Sequence, residues 1–185
     1  MTKQKQIALL VEAMRYAQAF FSIYKESISI QDYRHLRVAV HALKMDKRLT
    51  NSMRMPFMYA HASDSLAHKI VALLHLPDYF ALLCTMLIRH KQLGILDTVL
   101  QKIITLIEQH NRILYCVLSS SHQLSNDDVA TFIDYFARIT DKKIVYDTVI
   151  DPTLIAGVRI QSDTTVWESS VRKQLQQLEL AVRKG

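Results

Sequence analysis

The chain has 185 residues, half of them apolar, with 22% charged and only three glycines and three prolines. That is enough apolar material for one domain or two small ones, and too little charge, glycine and proline for a linker or a disordered tail. The net charge of +6 is uneven: residues 1–110 hold 14 Lys and Arg against 8 Asp and Glu, whereas residues 111–185 hold 9 against 9. No run of eighteen apolar residues is present to span a membrane.

The start, Met1 to Gln6, leads into an amphipathic run carrying Glu12, without the apolar core and cleavage site of a signal peptide or the Arg- and Ser-rich character of a transit peptide. Helical periodicity predicts a first helix over 4–25. One stripe is Leu10, Met14, Ala17, Phe21 and Tyr24, and a second line beside it is Leu9, Ala13, Tyr16 and Phe20. An apolar face of that width fits a central helix, or a helix that keeps part of its face for a partner helix. A second helix is expected over 31–45, with Leu36, Val40 and Leu43 inward and Arg34, Arg37 and Lys44 outward, and a short third over 47–53. Met55-Pro56 marks a boundary. A fourth helix covers 63–75, capped by Ser63 or Asp64, with Leu66, Ile70, Leu73 and Leu74 packing. Pro77 opens a fifth in its first turn, Gly94 interrupts, and a sixth runs over 95–110 with Ile95, Val99, Ile103, Leu106 and Ile107 inward.

The pattern changes at about 111. Arg112–Leu118 is β-prone, Ser119–Ser125 is a polar loop, and Ser125 or Asn126 caps a helix to about Ile139. A strand follows over Ile144–Ile150. Gly157–Gln161 and Thr165–Glu168 then flank Ser162-Asp163-Thr164 as a β-hairpin, with Gly157 placed where a side chain would obstruct a close backbone approach or an unusual φ. Ser169 and Ser170 offer caps for a last helix carrying Val171, Leu175, Leu178 and Val182. The expected fold is mainly α: an N-terminal six-helix bundle, residues 1–110, followed by a small C-terminal α/β domain, residues 111–185.

The residues that carry chemistry are sparse. Glycines at 94, 157 and 185 alone exclude a phosphate-binding Gly-x-x-x-x-Gly-Lys loop, a dinucleotide Gly-x-Gly-x-x-Gly and a nucleophile elbow. His61, His68 and His75 recur every seven residues, which would align them on one helix face, but too far apart for a zinc site. Asp127 and Asp128 suit a helix first turn, and Asp147 and Asp151 suit a strand end. Cys84 and Cys116 lie in apolar runs and read as buried free thiols of a reducing compartment, with a structural disulfide as the second reading. No catalytic, metal or cofactor-binding residue is assigned. The local basic stretch from Lys25 to Arg54, seven basic against three acidic residues, is a solvated helix face or a surface for nucleic acid, anionic lipid or an acidic protein.

The segment from Ile144 to Ser162 closely resembles the C-terminal signature of the F-type ATP synthase delta subunit, the family that includes the mitochondrial oligomycin-sensitivity-conferring protein. Ile144, Tyr146, Ile150, Asp151, Leu154, Ala156, Gly157, Val158, Ile160 and Gln161 fill the specified positions, and the spacing on to Ser170, Val171, Arg172, Leu175 and Leu178 matches. Tyr16-Ala17-Gln18-Ala19-Phe20 is similar to the family's first-helix motif. Leu87–Leu93 resembles its Leu-Leu-x-x-x-Arg-aliphatic element, and Val117–Ser120 through Leu124-Ser125 its interdomain join. Departures are Gln92 for Arg, Asp163 and Thr164 in the hairpin turn, and Ser169 for Gly.

The resemblance implies a non-catalytic adaptor without cofactor. Its helical domain would grip N-terminal segments of the alpha subunits of the catalytic head, near Tyr16, Ala17, Ala19 and Phe20. Its C-terminal domain would meet the b-type subunits of the peripheral stalk. Asp151, Leu154, Gly157 and Ser170 would be structural. The expected location is peripheral, on the cytoplasmic face of the bacterial inner membrane or the matrix side in a mitochondrion. The alternative reading is a basic helical module that binds nucleic acid.

Overall fold

A computed structural model describes residues 3–53, 55, 64–163 and 165–174, and the chain divides into two compact units, Met1–Gln109 and His110–Gly185. The expected class holds: a bundle of helices precedes a small mixed α/β unit. The described residues of the first unit form α1 (Lys3–Tyr24), α2 (Ile30–Met45), α3 (Lys47–Met53), α4 (Asp64–Leu73), α5 (Phe80–Arg89), a 3-10 turn (Leu93–Ile95) and α6 (Leu96–His110).

Local chemistry sets the ends of these helices. Ser29 and Asp32 form a capping box at the start of α2: the Asp32 amide donates to Ser29 Oγ at 3.1 Å and the Ser29 amide to Asp32 Oδ2 at 2.9 Å. Asp46 closes α2 and caps α3, accepting from the Arg48 and Leu49 amides at 2.9 and 3.1 Å. The cap candidate Ser63 lies outside the described residues. Pro77 is not inside α5. It accepts from the Phe80 amide at 3.0 Å, and Asp78 accepts from Ala81 at 2.9 Å, so a tight turn precedes the first α-helical bond. His75 ends α4 in a left-handed conformation (φ 52°), and the Leu76 amide returns to Val71 O at 3.0 Å. His75 is therefore off the helix that carries His68, and His61 lies outside the described residues. The single helix face expected for the three does not form.

The core of the first unit is Ala13, Ala17 and Phe20 of α1, Tyr33, Leu36, Ala39, Val40 and Leu43 of α2, and the inner faces of α4, α5 and α6. Leu10 and Leu73, expected to pack, are exposed, as are Leu82 and Met86 of α5. Leu100 and Ile104 join Val99, Ile103 and Ile107 in the buried face of α6, while Leu106 is only half-buried. Periodicity gives the phase of a helix but not how wide a face its neighbours cover. Phe20 stacks among Tyr24, Tyr79 and Phe80 with ring centroids 4.6–6.0 Å away, joining the end of α1 to the start of α5.

A partly buried polar clip ties α2 to α6. The Tyr33 hydroxyl donates to Glu108 Oε1 at 2.6 Å, and Arg37 Nη1 reaches the same oxygen at 3.3 Å. Burial, and then the bond to Glu108, hold the Tyr33 phenol well above its ordinary range. The folded unit thus keeps Tyr33 protonated where the unfolded chain would ionise it. This contribution is intact below the unfolded pKa near 10 and is lost progressively as pH rises above it. Urea midpoints are expected to fall as pH rises above about 10, and to fall less in Tyr33→Phe, which also lowers stability at neutral pH by about 1–2 kcal/mol through loss of a bond to a charged acceptor. Equal slopes in the two proteins would remove Tyr33 as the cause.

In the second unit β1 (Ile113–Ser120), α7 (Asn126–Thr140), β2 (Lys143–Ile150), β3 (Gly157–Ser162) and β4 (Val166–Ser170) follow in order, and residues 171–174 begin a further helix. The sheet order is β2-β1-β3-β4, with β1 and β2 parallel and the other pairs antiparallel. A parallel neighbour needs a crossover, and α7 supplies it. Ser125 is its cap, accepting from the Asp128 amide at 3.2 Å. Phe132, Ile133 and Phe136 of α7 pack on Cys116, Leu118, Val158 and Ile160, with Trp167 edge-on to Phe136 at 5.3 Å. Both cysteines are free and buried; burial pushes the Cys84 thiol up to about 12, and burial with the Asp147 charge pushes Cys116 to about 11.

The signature residues build the connection from β2 to β4. Asp151 Oδ1 accepts from the Thr153 amide and hydroxyl at 3.1 and 2.6 Å, and Oδ2 pairs with Arg159 at 3.0 Å. These bonds, with Arg159 and Arg172 nearby, hold its carboxyl below the usual carboxylate range. Leu154 is fully buried. Ile155 follows in a γ-turn (φ 65°, ψ −60°), closed by the Ala156 amide on Leu154 O at 2.8 Å. Gly157 has φ +102° and faces Ser170 across the hairpin. Ser170 Oγ accepts from the Lys173 amide at 3.1 Å, capping the final helix, and is hydrogen-bonded to Glu168. Ser169 lies in β4 opposite Val158. Leu175, Leu178 and Val182 lie outside the described residues, as does Thr164 of the turn. Ser162 closes that turn through its amide on Thr165 O at 2.8 Å.

A candidate docking surface on the first helix

The four residues expected at a partner contact do not share one environment. Ala17 and Phe20 point into the unit's own core, at 0% and 5% exposure, so neither can reach a partner. Helical geometry puts Tyr16 and Ala19 on one flank of that buried line. There they line an open hollow of about 360 Å³ with Glu12, Arg15 and Gln92. On the other flank Ile7, Leu10 and Val11 are exposed at i, i+3 and i+4.

The hollow is held by two long-range bonds. Tyr16 OH and His90 Nδ1 are hydrogen-bonded at 2.5 Å, and Gln92 Nε2 donates to Glu12 Oε2 at 2.8 Å. Burial, then the Glu12 charge, raise the Tyr16 phenol. Gln92 Oε1 is buried and has no hydrogen-bond partner among the described residues. A buried acceptor left single is costly unless something donates to it. The hollow thus offers the Glu12 carboxylate, the Arg15 guanidinium and the Tyr16 side chain, a set suited to a polar-edged peptide segment. Glu12, Arg15, His90 and Gln92 were not expected here. The signals were a charged residue inside the widest apolar helix and, in the resemblance, the departure at Gln92.

Among the described residues no group of three His, Cys, Asp or Glu could hold a metal, and no helix is long and apolar enough to cross a membrane. The model of the ATP synthase delta (OSCP) subunit family matches residues 13–182. The chain belongs to that family. Curated delta subunits similar to it include those of Anaeromyxobacter dehalogenans, 27% identical and covering 90% of this chain and 93% of the relative, and Nostoc punctiforme, 26% identical with 95% and 96% covered. The Dehalococcoides mccartyi subunit is 26% identical, with 94% of each covered. A chain in the Toxoplasma gondii mitochondrial ATP synthase hexamer has the same fold, with a TM-score of 0.58 at 16% identity, covering 92% of this chain and 96% of that one.

Membership makes this delta (OSCP) chain a non-catalytic stator subunit of an ATP synthase, associated with that complex. It gives no support to the nucleic-acid alternative.

Proposed function

We propose that the chain is the adaptor between head and stalk, supporting ATP synthesis coupled to proton transport. The helical unit, residues 1–110, receives N-terminal segments of the alpha subunits, and the α/β unit, residues 111–185, meets the b-type stalk subunits. It is held peripherally, through the complex, on the cytoplasmic face of a bacterial inner membrane or the matrix side in a mitochondrion. The observation that carries the alpha assignment is that α1 is buried along only one line, leaving Ile7, Leu10 and Val11 exposed on one flank and the Tyr16–Ala19 hollow open on the other. A helix docked there would cover apolar surface.

Ala19 is exposed and lines the hollow. Ala19→Glu places a second carboxylate beside Glu12 and is expected to reduce recovery of alpha subunits with the tagged chain about tenfold or more, with the thermal midpoint unchanged. Undiminished recovery of alpha would refute the assignment of this hollow.

A further inference from the structure

The basic stretch from Lys25 to Arg54 takes no part in the hollow of α1. The fold gathers much of it on one face of α2. Arg34, His35, Val38, His41, Ala42 and Met45 are all exposed and recur at helical spacing, forming one outward stripe opposite the buried Leu36, Val40 and Leu43. Val38 is 67% and Met45 72% exposed, two turns apart, or about 10.5 Å along the helix. Lys44 and Arg48 extend the positive charge at its C-terminal end.

The carboxylates around this stripe are committed elsewhere. Asp32 serves the capping box, Asp46 caps α3, and Glu108 holds Tyr33 and Arg37. Arg34, Lys44 and Arg48 have no side-chain ion pair among the described residues. An apolar seam bordered by cations without side-chain ion pairs among the described residues specifies its complement: apolar residues at helical spacing with acids beside them. Other anionic partners fit less well. Against nucleic acid, α2 turns no phenol or indole outward: Tyr33 is fully buried, and only the imidazoles of His35 and His41 face solvent. Two apolar side chains two turns apart, with no exposed Trp, Tyr or Phe of α2 to anchor at an interface, match the spacing of a partner helix better than insertion into lipid.

We propose that the outward face of α2 docks an acidic amphipathic helix of a protein partner, at a second surface separate from the α1 hollow.

The test is a fluorescence anisotropy titration of the full chain. The probe is a labelled synthetic helix of about twenty residues, with Leu in the seam and Glu on both flanks, and the control is the same peptide with Lys for Glu. Saturable binding is expected, at least tenfold tighter for the Glu peptide and weakened by salt. Val38→Asp and Arg34→Glu are each expected to weaken it by about fivefold or more, and Ala19→Glu to leave it unchanged. All three sites are exposed, so the fold persists and the α1 and α2 surfaces are judged separately. No binding at ~1 mM Glu peptide would overturn the proposal, as would binding indifferent to Val38→Asp and Arg34→Glu. Parallel arms use vesicles of phosphatidylglycerol and a short single-stranded RNA. Tighter, α2-dependent binding to either of these than to the peptide also overturns it.

Discussion

Gly157→Ala is expected to destabilise the α/β unit by about 3 kcal/mol or more, the sum of left-handed strain and a steric overlap that the backbone must move to relieve. The φ of +102° is one that side-chain-bearing residues rarely adopt. A Cβ there would lie 2.1 Å from the carbonyl oxygen of Ser169 and 2.9 Å from Ser170 Cα. Both are backbone atoms of β4, so no rotamer change can make room. Relief requires β3 and β4 to part where Gly157 faces Ser170, beside the bond from the Val171 amide to Ala156 O at 2.9 Å. The Ser170 cap on the final helix lies at the same point. The chain's only tryptophan, Trp167, packs in this unit against Phe136, so its fluorescence during urea unfolding reports the unit directly. A midpoint within the error of the parent protein would refute the account.

Ala17→Asp is the second large effect, and it falls on the helical unit as a whole. Ala17 is fully buried in the core of the helical unit. An unpaired carboxylate there is expected to lower stability by about 3–5 kcal/mol, or to shift its pKa and bury a neutral acid at similar loss. Far-UV circular dichroism should show the first unit melting early or unfolded at room temperature. Loss of alpha subunits from such a variant would follow from unfolding and says nothing of contact. Ala19, two residues on and exposed, carries the contact question. If Ala17→Asp melts within a degree or two of the parent, Ala17 is not the core residue described here.

The contrast between Ala17 and Ala19 marks where sequence reasoning ran out. Periodicity located the helices and showed that α1 has two apolar lines. It could not say which line the core takes, because that depends on helices some seventy residues away. The fold takes the line of Ala13, Ala17 and Phe20, two small residues and one ring that meets Phe80. The hollow was illegible for the same reason: Glu12 and Tyr16 come from α1, whereas His90 and Gln92 follow α5. Helix ends were also hard to place. Glycine is the usual stop signal, yet left-handed conformations here fall on His75, Lys91, Arg112 and Asp141. The hairpin was legible because its signals are local: alternation, a turn and the glycine at its first pair.

The separation of α1 from α5 also bears on the order of synthesis. The Tyr16–His90 bond spans 74 positions and the Gln92–Glu12 bond 80. At roughly 5–20 residues per second, a ribosome needs about 4–16 s to make that interval. Throughout it, Ala13, Ala17 and Phe20 have emerged while the α5 surface that covers them has not. The nascent chain must carry an uncovered amphipathic helix for seconds, the interval in which a chaperone at the exit tunnel has most to gain by holding it.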